Sequence, residues 1–282
     1  MILFIPTHIA VERKYPLIIV STATCVRILL SHFMFIFAKN LIMKKIYISM
    51  LAVLFMGSAF AHNVTFKVDL GSATPSANGV HVAGSFQSPV WTPGATSMTQ
   101  VGSSSIYQVT VTLPTGDYEF KFLNGNAWGD DETPGANCSV GNGNGNRWLS
   151  VWSDTILPAV VFGGCAPAGM NSVMMMVDMS TKASVNDTIS VAGSFQGWSP
   201  GATIMTDCFN DSIYRTIAYV PAGDTIAYKY INGTAWAQNE SVPGACAVGG
   251  NRQVIATGDI IAGPHCFNQC VSCFIPDTFD VT

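Results

Sequence analysis

The chain has 282 residues, only 11% of them charged, and a formal net charge of −4. So little positive charge offers no basic face, which excludes nucleic acid as an expected partner. Low charge together with 26 Gly and abundant Ser, Thr, Asn and Val is the composition of an exported β protein.

The first element is a leader. From Met43 the chain reads MKKIYISMLAVLFMGSAFA. Lys44 and Lys45 form a basic start, an apolar run follows, and Ala59-Phe60-Ala61 is a small-residue cleavage site. Residues 43–61 are therefore expected to be a secretory signal peptide cut after Ala61. Residues 1–42 then read as an over-extended start, with a membrane anchor as the other reading. The mature protein is expected to be secreted or held at the cell surface, with no stable membrane insertion after cleavage.

Beyond residue 61 the chain is one unit written twice. VTFKVDL (Val64–Leu70) matches VMMMVDM (Val173–Met179), and VAGSFQSPVWTPGAT (Val82–Thr96) matches VAGSFQGWSPGAT (Val191–Thr203). KFLNGNAW (Lys121–Trp128) matches KYINGTAW (Lys229–Trp236), and Asn146-Arg147 matches Asn251-Arg252. Within each unit TFKVDL, IYQVTVTL and DYEFKFLNG and their copies alternate with period two and are rich in Val, Thr, Tyr and Phe. Turn residues follow at Pro114-Thr115-Gly116, Asn124-Gly125 and Pro134-Gly135. No helical period appears. The expected fold is all-β: two tandem immunoglobulin-like β-sandwich modules, residues 62–168 and 169–275, after the signal segment. Phe66, Val68, Val82, Tyr107, Val109, Val111, Phe120 and Phe122 are the expected core of the first. Residues 276–282 read as a linker or the opening of a further module, because Asp280-Val281-Thr282 resembles the Asn63-Val64-Thr65 start.

The duplication also sorts the cysteines. Export favours disulfides. Cys138 matches Cys246, while Cys165 and Cys270 each lie 11 residues after an aspartate, Asp154 and Asp259. The shared pairs predict Cys138–Cys165 and Cys246–Cys270, each closing a loop of about 25 residues worth roughly 3 kcal/mol. Cys266 and Cys273 are absent together from the first unit, as expected of partners, and Cys208 is left as a free thiol. A metal at CFNQCVSC lacks a second ligand pair, so no metal or cofactor is expected.

Each unit holds two tryptophans outside its alternating strands. Trp91 and Trp198 follow the AGSFQ stretch, and Trp128 and Trp236 follow the Asn-Gly turn. Loops along one edge of a sandwich can bring two such indoles together, with Lys121 or Lys229 on the strand beside them. Indole faces suit the C–H face of a hexose, and polar side chains suit its hydroxyl rim. Burying about 80 Å² of apolar surface per ring gives about 2 kcal/mol at roughly 25 cal/mol/Å². Such a site binds weakly, on the order of 0.1–1 mM. Two linked sites gain avidity on a polymer.

These residues carry a resemblance. The G-S-F loop ending in Trp, the strand pair ending in Tyr-Lys or Phe-Lys, and the Trp after Asn-Gly resemble the starch- and glycogen-binding modules, notably the glycogen-binding module of the AMP-activated kinase β-subunit and its bacterial relatives. The resemblance implies binding of an α-glucan by Trp91, Lys121, Trp128 and Asn146 in the first unit, and by Trp198, Lys229, Trp236 and Asn251 in the second. The first unit has two residues more before its loop tryptophan (SFQSPVW against SFQGW), which predicts a shifted Trp91. The eukaryotic pattern lacks the disulfides.

No catalytic constellation is shared. The acids Asp130, Asp131 and Glu132 face Gln238, Asn239 and Glu240 in the copy, leaving one acid in common. No G-x-S-x-G, H-E-x-x-H or phosphate loop appears. The expectation is a monomeric, non-catalytic binder of polysaccharide. The alternative is a structural or adhesive surface protein that uses the repeat as a spacer.

Overall fold

The computed structural model describes residues 61–139 and 145–273. The expected start and signal segments up to Phe60, and the expected linker 276–282, lie outside the described residues.

The N-terminal half contains β1 (Ala61–Asp69), β2 (Val80–Gly84), β3 (Ser97–Gln100), β4 (Ile106–Pro114), β5 (Gly116–Leu123), β6 (Arg147–Val151), β7 (Thr155–Ile156) and β8 (Val160–Val161). The C-terminal half contains β9 (Met170–Asp178), β10 (Ile189–Gly193), β11 (Thr203–Met205), β12 (Ile213–Pro221), β13 (Thr225–Ile231), β14 (Arg252–Ile255) and β15 (Ile260–Cys266). The protein is all-β, and its helical residues, among those described, are short 3-10 turns. No helix among the described residues is long and apolar enough to cross a membrane.

Most strand pairings of one half recur in the other. The exception is β3, which pairs with both β2 and β4 and joins the N-terminal half into one eight-stranded sheet, whereas the C-terminal half forms a four-stranded and a three-stranded sheet instead. β1 pairs antiparallel with β4 as β9 does with β12. β2 pairs with β5 and β5 with β6, as β10 pairs with β13 and β13 with β14. β7 and β8 run parallel to β1, as β15 does to β9. Sequence alternation decides the faces. Val64, Phe66 and Val68 of β1 and Phe120 and Phe122 of β5 are buried in one apolar cluster with Val82, and Tyr107, Val109 and Val111 pack on it half-buried. Asp117, Glu119 and Lys121, the alternate residues of β5, therefore point to the other face. β9, β10 and β13 build the second cluster around Met175, Val191, Tyr228 and Tyr230.

Disulfides join Cys138 to Cys165, Cys246 to Cys270 and Cys266 to Cys273. Cys208 is free. Beneath the first two bridges lies a duplicated ion pair. Glu132, 1% exposed, accepts from Arg147 Nε and Nη2 at 2.7 Å and from the Phe122 backbone N–H. Arg147 also donates to Gly164 O, next to Cys165. Glu240, 0% exposed, holds Arg252 and the Tyr230 N–H in the same way, and Arg252 donates to Gln269 O beside Cys270. Each carboxylate thus gains the charged and neutral donors that its burial requires.

The halves touch. Tyr219 of β12 packs against the N-terminal core, Ser150 Oγ donates to Thr206 Oγ1 at 2.9 Å, and Asn137 Nδ2 donates to Asp259 O at 2.5 Å.

Candidate functional site

The loop after β2 presents Trp91, and its copy after β10 presents Trp198. Both tryptophans have left-handed backbones, φ 57° and 59°. That region costs a bulky residue about 1–3 kcal/mol, so the surroundings must hold it. Trp91 N–H donates to Gly84 O at 3.0 Å, and Trp198 N–H donates to Gly193 O at 2.9 Å. The glutamine of SFQ completes the clamp. Gln87 donates to Thr92 O and Thr96 Oγ1 and accepts from the N–H groups of Gly84 and Thr92. Gln196 donates to Val191 O and Ser199 O and accepts from Ser199 N–H. Because both loops are tied to equivalent carbonyls, the two extra residues of the first loop do not move Trp91 away from its partner. They are taken up around the exposed Val90.

The Asn-Gly turns hold the second tryptophan of each pair. Asn124 donates to Thr74 O and accepts from Ser76 N–H, while Asn232 donates to Ser184 O and accepts from Asn186 N–H. Gly125 and Gly233 have φ of 155° and 146°, and a Cβ there would run into the Asp130 carboxylate or the Gln238 amide. Those two side chains accept loop N–H groups: Ala127 for Asp130, and Thr234 and Ala235 for Gln238. Each tip is thus stiffened, and the ring beyond it stays in solvent.

The tryptophans of each half meet. The Trp91 and Trp128 centroids lie 6.4 Å apart with planes inclined by 47°, and those of Trp198 and Trp236 lie 6.2 Å apart at 38°. Trp128 is 50% exposed and Trp236 39%. Trp91 and Trp198 are half-buried.

In the N-terminal half the rings stand over a cleft of about 330 Å³ lined also by Glu119, Lys121, Asp131 and Asn146. The four residues singled out there by sequence are thus brought together, and Glu119 and Asp131 join them. Lys121 Nζ lies 3.1 Å from Asp131 Oδ2, and Asn146 Nδ2 donates to Glu119 Oε2 at 2.7 Å. Burial of Asp131 acts to raise its pKa, but the Gly129 N–H and Lys121 outweigh it and hold the carboxyl below its usual range.

In the C-terminal half Lys229 occupies the same register, opposite Ala192 as Lys121 is opposite Ala83. Ala227 and Asn239 stand where Glu119 and Asp131 do, so Lys229 has no carboxylate partner among the described residues. The Asn251 backbone bridges to Val248.

The sequence reading missed the roles of Gln87, Gln196, Glu132 and Arg147. The acids 130–132 read as a cluster, yet each has a separate structural partner. Their signal was the recurrence of the Gln, Glu and Arg positions in both units. His81 donates from Nδ1 to Gly125 O, a bond that Ser190 makes to Gly233 O in the copy.

The model of the pullulanase X25 domain family matches residues 79–155, a stretch that includes Trp91, Lys121, Trp128 and Asn146. No protein of curated function matches the chain. Among solved structures the chain is similar to the family 15 glucoamylase of Hypocrea jecorina at 22% identity, over 41% of this chain and 19% of that one, TM-score 0.26. It thus spans about a fifth of the glucoamylase. It is also similar to a family CBM26 module of Eubacterium rectale Amy13K in complex with maltoheptaose, at 12% identity over 70% and 88% of the chains, TM-score 0.22. The family 41 carbohydrate-binding modules of streptococcal virulence factors, which recognise α-glucan, give 10% identity over 75% of this chain and 97% of that one, TM-score 0.26.

Proposed function

We propose that this is an exported, non-catalytic α-glucan-binding protein, monomeric, with two immunoglobulin-like sandwich modules over residues 62–168 and 169–275. The observation that carries the reading is the pair of solvent-facing, mutually inclined indoles, present twice. Coplanar rings suit a flat β-linked glucan, whereas rings inclined by 47° and 38° suit an α-linked chain whose successive hexoses turn. Lys121 and Asn146, and Lys229 and Asn251, supply polar partners for hydroxyls, as in the starch- and glycogen-binding modules that the sequence resembles. The match of the N-terminal half to a pullulanase domain supports the same class of ligand. Asp130, Asp131 and Glu132 are held in loop, lysine and arginine contacts, which supports binding without hydrolysis.

Affinity electrophoresis in gels cast with glycogen, starch or cellulose tests this. Glycogen and starch are expected to retard the protein and cellulose is not. Replacing Trp91, Trp128, Trp198 and Trp236 together by Ala should abolish retardation. A protein retarded by no glucan would leave the spacer reading in its place.

A further inference from the structure

The outer face of the N-terminal half does not end at the tryptophan cleft. Asp117, Glu119 and Lys121 share one face of β5, and the β5–β6 register sets Trp148 opposite Glu119 and Ser150 opposite Asp117. A second cavity of about 290 Å³ opens there, lined by Trp148, Ser85 and Asp117 from the N-terminal half and by Phe209 and Cys208 from the C-terminal half. Trp91 and Glu119 line both spaces. Phe209 is steadied by the Arg215 guanidinium 4.9 Å from its ring centroid, and Arg215 is itself held by Asp211 at 2.6 Å.

We propose that the two spaces form one groove, and that the inner space holds further hexoses of the same α-glucan chain, stacked on Trp148 and Phe209. This rests on the function proposed above. The inner space repeats the chemistry of the cleft, with aromatic faces for sugar C–H surfaces and Asp117 and Ser85 for hydroxyls. Lys121 and Asp117 lie about 13 Å apart along the strand, a run longer than the indole pair alone spans. Among the described residues the C-terminal half lacks this aromatic and acidic pair, because Ala227 and Gln253 stand where Glu119 and Trp148 do. The N-terminal site therefore selects longer chains than the C-terminal one.

Calorimetry with maltose, maltotriose, maltopentaose and maltoheptaose tests this on the full chain carrying Trp198→Ala and Trp236→Ala, so that the N-terminal half alone reports. Affinity should rise about tenfold from maltose to maltoheptaose, or about 1.4 kcal/mol. Trp148→Gln, the residue type of the other half, should erase that rise. Phe209→Ala, in an exposed loop, should reduce it and serves if Trp148→Gln fails to fold. Maltoheptaose should also slow disulfide exchange at Cys208, and maltose should not. A full rise persisting in both folded variants, or the absence of any rise in the parent, overturns the groove and leaves α-glucan binding standing. Wild-type protein that binds no maltooligosaccharide overturns both.

Discussion

Trp91 and Trp198 hold a left-handed conformation that glycine or asparagine adopts easily and a bulky residue rarely does, and they hold it at equivalent positions of two diverged halves. Strain of about 1–3 kcal/mol repeated in this way is expected where the ring's placement matters more than the backbone's comfort. Lys121 and Lys229 have diverged in the opposite sense, one paired with Asp131 and one without an acid. The depressed Asp131 pKa gives a direction. Its stabilising contribution is complete above the unfolded value of about 3.9 and is lost as pH falls through the lower folded value. Asp131→Asn should therefore flatten the stability profile below about pH 4, measured by urea unfolding. Burial pushes the Cys208 thiol up to about 12, chiefly by desolvation. Its thiolate fraction at pH 8 falls by about three orders of magnitude, and greater intrinsic nucleophilicity recovers part of this. Cys208 should react with an aromatic disulfide reagent roughly a hundredfold more slowly than a free cysteine.

Each tryptophan loop is an element with its own internal clamp. The Gln196 amide binds both ends of the loop that holds Trp198 in the left-handed region. Gln196→Ala should relax that loop and weaken glucan binding at the C-terminal site about tenfold, read by calorimetry on a Trp91→Ala, Trp128→Ala background. The Glu–Arg pairs act on a larger element, fastening β5 and β13 to the disulfide-bearing loops. Removing one partner strands a buried charge. Arg147→Met should cost about 3–5 kcal/mol in denaturant unfolding, and adding Glu132→Leu should recover much of it.

At the scale of the molecule the halves are joined by the Ser150–Thr206 and Asn137–Asp259 bonds and by Tyr219 in the neighbouring core. A fixed pair of weak sites suits a polymer better than a short sugar. Trp198→Ala with Trp236→Ala should lower retention on glycogen about a hundredfold or more while leaving maltose binding at the N-terminal site unchanged. Equal losses for polymer and disaccharide would mean that the sites do not cooperate on one chain.

The duplicated text by itself determined a good deal. It fixed the strand alternation, the disulfide partners, the free Cys208 and the two tryptophan positions in each half, because local period and internal repetition need no knowledge of distant contacts. It did not show Asp130, Asp131 and Glu132 as three unrelated structural groups, since Asp130 is held within its own loop while the partners of Asp131 and Glu132, Lys121 and Arg147, lie on β5 and β6. It gave no reason to single out Trp148, which has no copy, or to pair it with Phe209 from the other half. Those relations arise only when strand register sets residues distant in sequence on one face, and only the tertiary structure decides which faces meet.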